Sequence, residues 1–308
     1  MEGSRELVLK SPSGITAEAL SERRRRLRAI ALMCGACACF ACLDASAKFL
    51  NGHIDSLQVV WARYASAFFL TFLISNPLTR PRLIATTRPK LQIGRSLLLL
   101  FSTLLNVLAL KYLQLDQTVS ILFSTPFFVT LLSGFLLGEW AGWRRWAAIG
   151  VGFSGVLLIA RPGFGGMHPA ALLCVAGAIC YSFYNVSTRV LARTDSNETT
   201  LFYSNFVGTV AALPALPFVW TTPHDPVVIA LMVLIGAFGS FGHYLLIVAH
   251  RLASATVLAP FIYTQLIWAS TAGYLVFGQL PSEWTLAGAA IVIGSGLYIL
   301  YREHKLKG

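Results

Sequence analysis

Charge is scarce in this sequence. Asp, Glu, Lys and Arg make up only 12% of its 308 residues, while apolar types make up 56%; a soluble domain carries about twice that share of charge. The shortage excludes a water-soluble enzyme or scaffold of this length, whose helices would each need a polar face. Acids are scarcer still, 13 against 24 basic residues. They form no metal-spaced set, and neither a Ser/His/Asp arrangement nor a phosphate loop can be found, so we expect no catalytic residue, no metal site, no cofactor and no enzyme. Gly150-Val-Gly-Phe-Ser-Gly155 fits the dinucleotide fingerprint letter for letter, but no strand precedes it and it lies inside an apolar run; close helix packing is its reading. The few cysteines (Cys34, Cys37, Cys39, Cys42, Cys174 and Cys180) all fall within apolar runs. CGACACFAC has no accompanying histidines and reads as small, polarisable residues that let helices approach, not as a metal cluster or disulfide pair.

Long apolar runs are what the sequence does have. A bilayer span needs roughly 20 mostly apolar residues, and such runs recur at 29–50, 57–77, 91–113, 117–138, 143–161, 169–192, 199–220, 227–250, 254–278 and 283–302. Backbone in lipid must satisfy its own hydrogen bonds, so these predict ten transmembrane helices in an all-α integral membrane protein. The net charge of +11 would suit nucleic acid if it were gathered on one face. Instead it alternates. Basic residues crowd the N-terminal segment (Arg23 to Arg26, Arg28), vanish from NGHIDS, return at Arg80 to Lys90, vanish from LQLD, and keep that rhythm to the tail, which holds Arg302, Lys305 and Lys307. By the positive-inside rule both termini are cytoplasmic, in the inner membrane of a cell, with lipid and not nucleic acid as the large partner. Residues 1–28 read as a disordered basic arm and 303–308 as a short cytoplasmic tail.

The chain also repeats itself. ALKYLQLDQTVS (109–120) matches AHRLASATVLAP (249–260), and Gly138-Glu139 matches Gly278-Gln279, both at an offset of 140. Two units follow, 29–163 and 169–302, of five spans each. An odd number turns the second upside down, giving two inverted five-helix repeats, as in many secondary transporters.

ALKYLQLDQTVSILFSTPFFVTLLSGFLLGEWAGWRRWAAIGVGFSGVLLIARPG (109–163) and SATVLAPFIYTQLIWASTAGYLVFG (254–278) resemble the two EamA modules of the drug/metabolite transporter superfamily. WARY (61–64) and GWRRW (142–146) look most like the branch of riboflavin and S-adenosylmethionine uptake carriers. The resemblance implies the drug/metabolite transporter fold and solute transport without ATP. Gln279 stands where family members often have Glu, which removes an acidic role at that position.

Candidate site residues are the polar groups at membrane depth. Asp44 and Arg63 lie about six residues, roughly 9 Å, below the outer ends of spans 1 and 2, and Lys48 is one turn above Asp44. Charge in hydrocarbon costs several kcal/mol, so we expect the three to form one polar cluster on the inner wall of an outward vestibule, as ligand site or as a structural bridge between two helices. Asn106, Tyr181, Asn185, His243, Tyr263 and Gln265 could offer rings and paired donors and acceptors to a planar metabolite. Pro126 and Pro260 are hinge candidates. The function expected is alternating-access transport of a small organic metabolite, such as a heterocyclic or aromatic one, with a proton or ion as the candidate coupling partner. Export of amino acids or drugs is the alternative, and a membrane-embedded enzyme or structural protein a distant one.

Overall fold

Every regular element among the described residues is helical. The computed structural model describes residues 17–74, 83–138, 142–160, 168–191, 193–253 and 255–307. Helix α1 (Ala17–Leu50) is followed by α2 (Ser56–Ile74), α3 (Pro89–Leu110), α4 (Leu115–Leu122), α5 (Thr125–Leu137), α6 (Trp143–Ala160), α7 (Ala171–Leu191), α8 (Asn197–Ala212), α9 (Leu216–Val219), α10 (Pro226–Leu252), α11 (Ala255–Ile262), α12 (Thr264–Phe277) and α13 (Glu283–Lys307). Six helical runs are long and apolar enough to cross a bilayer, including Ser21–Leu50, Pro89–Leu110 and Pro226–Leu252. The surface and the interior exchange their usual characters. Phe218, Leu275, Leu172 and Phe135 stand exposed, while Gln58, Gln92, Arg95, Thr118, Ser120 and Ser124 are buried. Apolar patches of that extent mark contact with lipid.

Each of the ten stretches read as spans is helical over most of its described length, but three are interrupted. Span 4 breaks at Phe123 and Ser124, and span 9 at Tyr263. Span 7 passes through a 3-10 turn at Leu213–Ala215 between α8 and α9, where Pro214 and Pro217 remove two helical donors. Sequence reasoning had put the breaks in spans 4 and 9 at Pro126 and Pro260. Pro126 instead opens α5, the start of a helix being where a missing N–H costs nothing. Pro260 lies one turn ahead of the actual break, inside α11. At the N-terminus, α1 extends back to Ala17, across residues expected to be unpatterned; Arg26 pairs with Glu22 one turn earlier at 2.7 Å, and a helix already nucleated in the membrane extends cheaply. Glu139, which the sequence sets beside Arg144 and Arg145 as a structural ion pair, lies outside the described residues, as does Arg161.

Carbonyls freed by the break in span 9 are not left bare. Cys37 of α1 donates its thiol to Phe261 O and Ile262 O at 3.7 and 3.6 Å, and Ser182 of α7 donates to Thr125 O beside the other break at 3.2 Å. The described cysteines are free thiols.

Helix α1 packs on α10, α3 on α7 and α8, α2 on α8 and α10, and α6 on α13. Where α10 crosses α2, a Cβ on Gly236 would fall 2.4 Å from Ala67 N, so the two backbones touch. Helices α5 and α12 both end on a left-handed glycine, Gly138 (φ 70°) and Gly278 (φ 65°), whose amides bond back to the last turn and satisfy its carbonyls.

Candidate functional site

A cavity of about 260 Å³ opens beside the N-terminus of α8 and runs between α2, α3, α7, α8 and α10. Its wall reaches from Asn197 down to Asn205, eight residues or roughly 12 Å of helix. Arg63, Tyr64, Tyr184, Ser204, Ser240 and His243 supply its polar and aromatic surface. A second hollow, about 380 Å³, lies between α6 and α13 from Trp143 to Tyr298 and is lined by no charged side chain among the described residues. The chemistry is in the first.

Of the sequence-derived candidates, Arg63 and His243 line this cavity. The Arg63 guanidinium donates one hydrogen bond, to Thr103 at 3.3 Å, and Thr103 also meets the Tyr64 hydroxyl at 2.9 Å. His243 is held edge-on against Phe40, ring centroids 5.0 Å apart. Asp44 is buried behind the wall, where Asn106 approaches it at 3.5 Å; the Asn106 side-chain oxygen is itself buried without a partner. Arg63 is the charge that acts on Asp44, yet the two form no direct ion pair among the described residues.

Lys48 leaves the expected cluster. Its ammonium donates to the Leu113 carbonyl and sits 5.4 Å from the Phe277 ring centre. That carbonyl belongs to the turn after α3, one of the bare acceptors every helix end exposes, and one turn of helix is enough to carry Lys48 to it and away from Asp44. Tyr181 stacks on Tyr184 at 5.4 Å, and Asn185 returns its amide to Tyr181 O in its own helix at 2.7 Å. Tyr263 sits at the break in span 9 with its ring edge-on to Phe123, 5.0 Å away, and its hydroxyl against Gly296. Gln265, in the first turn of α12, presents its backbone to Cys37. Neither lines the cavity.

Sequence reasoning did not single out Arg95, which stands just inside the third span. Arg95 is 1% exposed. It donates to Thr188 at 3.1 Å, to Thr200 O at 2.8 Å and to Ser204, and lies 4.7 Å from the Tyr184 ring centre. It thus ties α3 to α7 and α8 and holds Tyr184 and Ser204 at the wall. A depth count would have found it: it sits a turn and a half into α3, too deep for a headgroup contact.

The two ends of the bundle differ. At the end away from the cavity mouth, the Gln58 amide bonds Thr221 both ways, Nε2 to Thr221 O at 2.8 Å and Thr221 N to Oε1 at 2.9 Å. Trp61 meets Trp220 edge-on at 5.9 Å, and Tyr112 stacks on His168 at 4.4 Å. At the mouth end, Asp195 accepts from Thr86 and, at 2.7 Å, from Gln92. What little burial it has opposes its charge, but the hydrogen bonds from Thr86, Gln92, Thr194 and the Thr87 amide outweigh that and hold its carboxyl below the usual carboxylate value. The tether is therefore fully charged at neutral pH.

An all-helical, multi-pass membrane protein with a charged cavity among its helices is of the transporter kind. The chain belongs to the EamA-like transporter family, whose model matches it twice, over residues 27–161 and 168–301. It is 31% identical over 264 residues to an S-adenosylmethionine uptake transporter of Rickettsia bellii, a match covering 85% of this chain and 89% of that protein. It is 28% identical over 255 residues to a riboflavin transporter of Rhizobium johnstonii, covering 80% of this chain and 84% of that one. One protein of known crystal structure aligns with 94% of this chain and 99% of its own at a TM-score of 0.61, with 18% identity, a likeness of fold.

Proposed function

We propose that this chain is a secondary carrier that moves a small organic metabolite across the inner membrane by alternating access. Its ten spans form two inverted five-helix halves, and both termini are cytoplasmic. One observation carries the reading: the cavity lining extends to the exposed Asn197 at the start of α8, while the opposite end of the bundle carries Gln58 on Thr221 and Trp61 on Trp220, contacts between the two halves. The charge pattern assigns the open end to the cytoplasm, so this is the inward-open form.

Symmetry supports the inverted halves. Phe123 and Tyr263, the two break residues, are 140 positions apart and touch. So are Gly138 and Gly278, the two left-handed caps. Gly155 meets Gly288 backbone to backbone, and Ser295 bonds Ala148 O; the same offset turns the first pair into the second. Contacts of α1 with α10 and of α3 with α7 exchange in the same way. The relatives' substrates, S-adenosylmethionine and riboflavin, are heterocyclic metabolites, the class that the ring-lined wall suits.

The test is trapping. With cysteine at positions 58 and 221 joined by a short bifunctional thiol reagent, purified protein in vesicles should stop moving labelled S-adenosylmethionine or riboflavin, and a cleavable linker should restore movement on reduction. Transport that continues with the link in place would rule out opening at that end.

A further inference from the structure

Two opposite charges in this protein stand near each other in a bilayer and do not pair. Arg63 has five N–H donors, and among the described residues they meet one neutral hydroxyl, Thr103 at 3.3 Å, with the guanidinium 5.6 Å from the Tyr64 ring centre. Among the described residues Asp44 receives a single long hydrogen bond, 3.5 Å from Asn106, whose own oxygen meets no donor there. Leaving such groups half-satisfied in hydrocarbon is costly. A merely structural bridge between α1 and α2 would have closed into an ion pair. Arg95, a second deep guanidinium, is better supplied: its terminal nitrogens reach three oxygens and it lies against a ring, leaving Nε as its buried donor without a partner among the described residues. The unspent donors of Arg63 face the cavity, and beyond them the unspent acceptors of Asp44 and Asn106 wait for a cation.

We propose that Arg63, Asp44 and Asn106 together recognise an α-amino-acid head group: the ligand's carboxylate on the fork of Arg63, its ammonium on Asp44 and the Asn106 oxygen. This rests on the carrier reading and narrows its substrate. The Arg63 side chain leaves Thr103 to meet the carboxylate, and that movement opens Asp44 to the ammonium. The rest of the ligand lies along Tyr64 and His243 toward the mouth. Riboflavin carries neither charge at neutral pH. S-adenosylmethionine carries both, in one amino-acid head.

Binding and transport are measured separately on the full-length protein. In detergent, thermal stabilisation is followed with three probes: S-adenosylmethionine, its decarboxylated analogue, and riboflavin. S-adenosylmethionine should stabilise, and removal of its carboxylate should weaken binding about tenfold to a hundredfold. In Arg63→Gln that difference should collapse to less than about threefold, while Arg63→Lys keeps part of it; Asp44→Asn should weaken both adenosyl probes, which share the ammonium, and leave riboflavin unaffected. The ligand-free melting temperature of each variant shows that it is folded. Equal stabilisation by the decarboxylated analogue or by riboflavin, stabilisation by none of the three, or an Arg63→Gln variant that loses both adenosyl probes equally would each overturn the head-group assignment. Uptake into vesicles decides the other question: riboflavin moved without any response to S-adenosylmethionine leaves the carrier and removes the head group, and S-adenosylmethionine bound but never moved does the reverse.

Discussion

Arg63 and Arg95 are the same residue put to different uses, and the difference lies in their neighbours. Arg95 is enclosed, its two terminal nitrogens spent on Thr188, Thr200 O and Ser204; Arg63 lines open space. We therefore expect Arg95→Ala to act on stability first. It strips three acceptors of a charged donor and empties a buried volume, a cost of about 2–3 kcal/mol, read as a lower melting temperature and earlier proteolysis at the α7–α8 turn. A variant that keeps its melting temperature would show that Arg95 ties nothing. At this scale the sequence was informative about which residues are out of place in lipid, since Asp44 and Arg63 could be picked by depth alone. It was uninformative about their partners. Lys48 differs from Asp44 by one helical turn, and only the position of the α3 end, set by packing far along the chain, decides that it faces the Leu113 carbonyl, near Asp116, and not Asp44.

At the scale of elements, helices were legible because lipid permits little else, and interruptions were not. Proline marks where a donor is missing, but a helix breaks where its freed carbonyls find new partners. At the break in span 9 such a partner comes from another helix, Cys37 on α1; at the break in span 4 the Thr125 hydroxyl at the start of the next helix takes the Leu122 carbonyl. Hence the breaks fall at Phe123 and Tyr263 and not at Pro126 and Pro260, and Tyr263, read from sequence as a ligand contact, serves the junction of the halves. Gly138 and Gly278, by contrast, stood out in sequence as a repeated pair, though not as caps; the structure supplies the reason, a left-handed helix end that needs glycine at the same place twice. Gly138 and Gly278 have no atom within 4 Å of a would-be Cβ, so Gly278→Ala should cost only the left-handed strain, about 1 kcal/mol, and Gly278→Asn less. Gly236→Ala meets the backbone of α2 and should cost far more. Melting temperatures in detergent should rank the three Asn, Ala at 278, Ala at 236, from mildest to most severe; an equal loss at 236 and 278 would mean that α10 and α2 do not touch.

The whole molecule is where a count of charges did most. Alternation of Lys and Arg across the gaps argues which loops share a side without any knowledge of packing, and the proposed odd number of spans per repeat would then make the halves opposite. The cavity could not be read this way, because five helices from both halves build it and no short stretch of sequence holds more than a few of its residues. The topological argument is nevertheless open to a direct check. His53 and His224 are both exposed, in turns at the sealed end, while Arg193 is exposed at the mouth end. Cysteine placed at 53 or at 224, in a chain otherwise free of cysteine, should react with a membrane-impermeant thiol reagent added outside intact cells, and cysteine at 193 should react only after the membrane is opened. Residue 53 lies in the first half and 224 in the second, each at a different turn of its own repeat. If they label from opposite sides, the halves are not inverted, the contacts of Gln58 with Thr221 cannot form a gate at one face, and a cavity open at one end loses its meaning as half of a transport cycle.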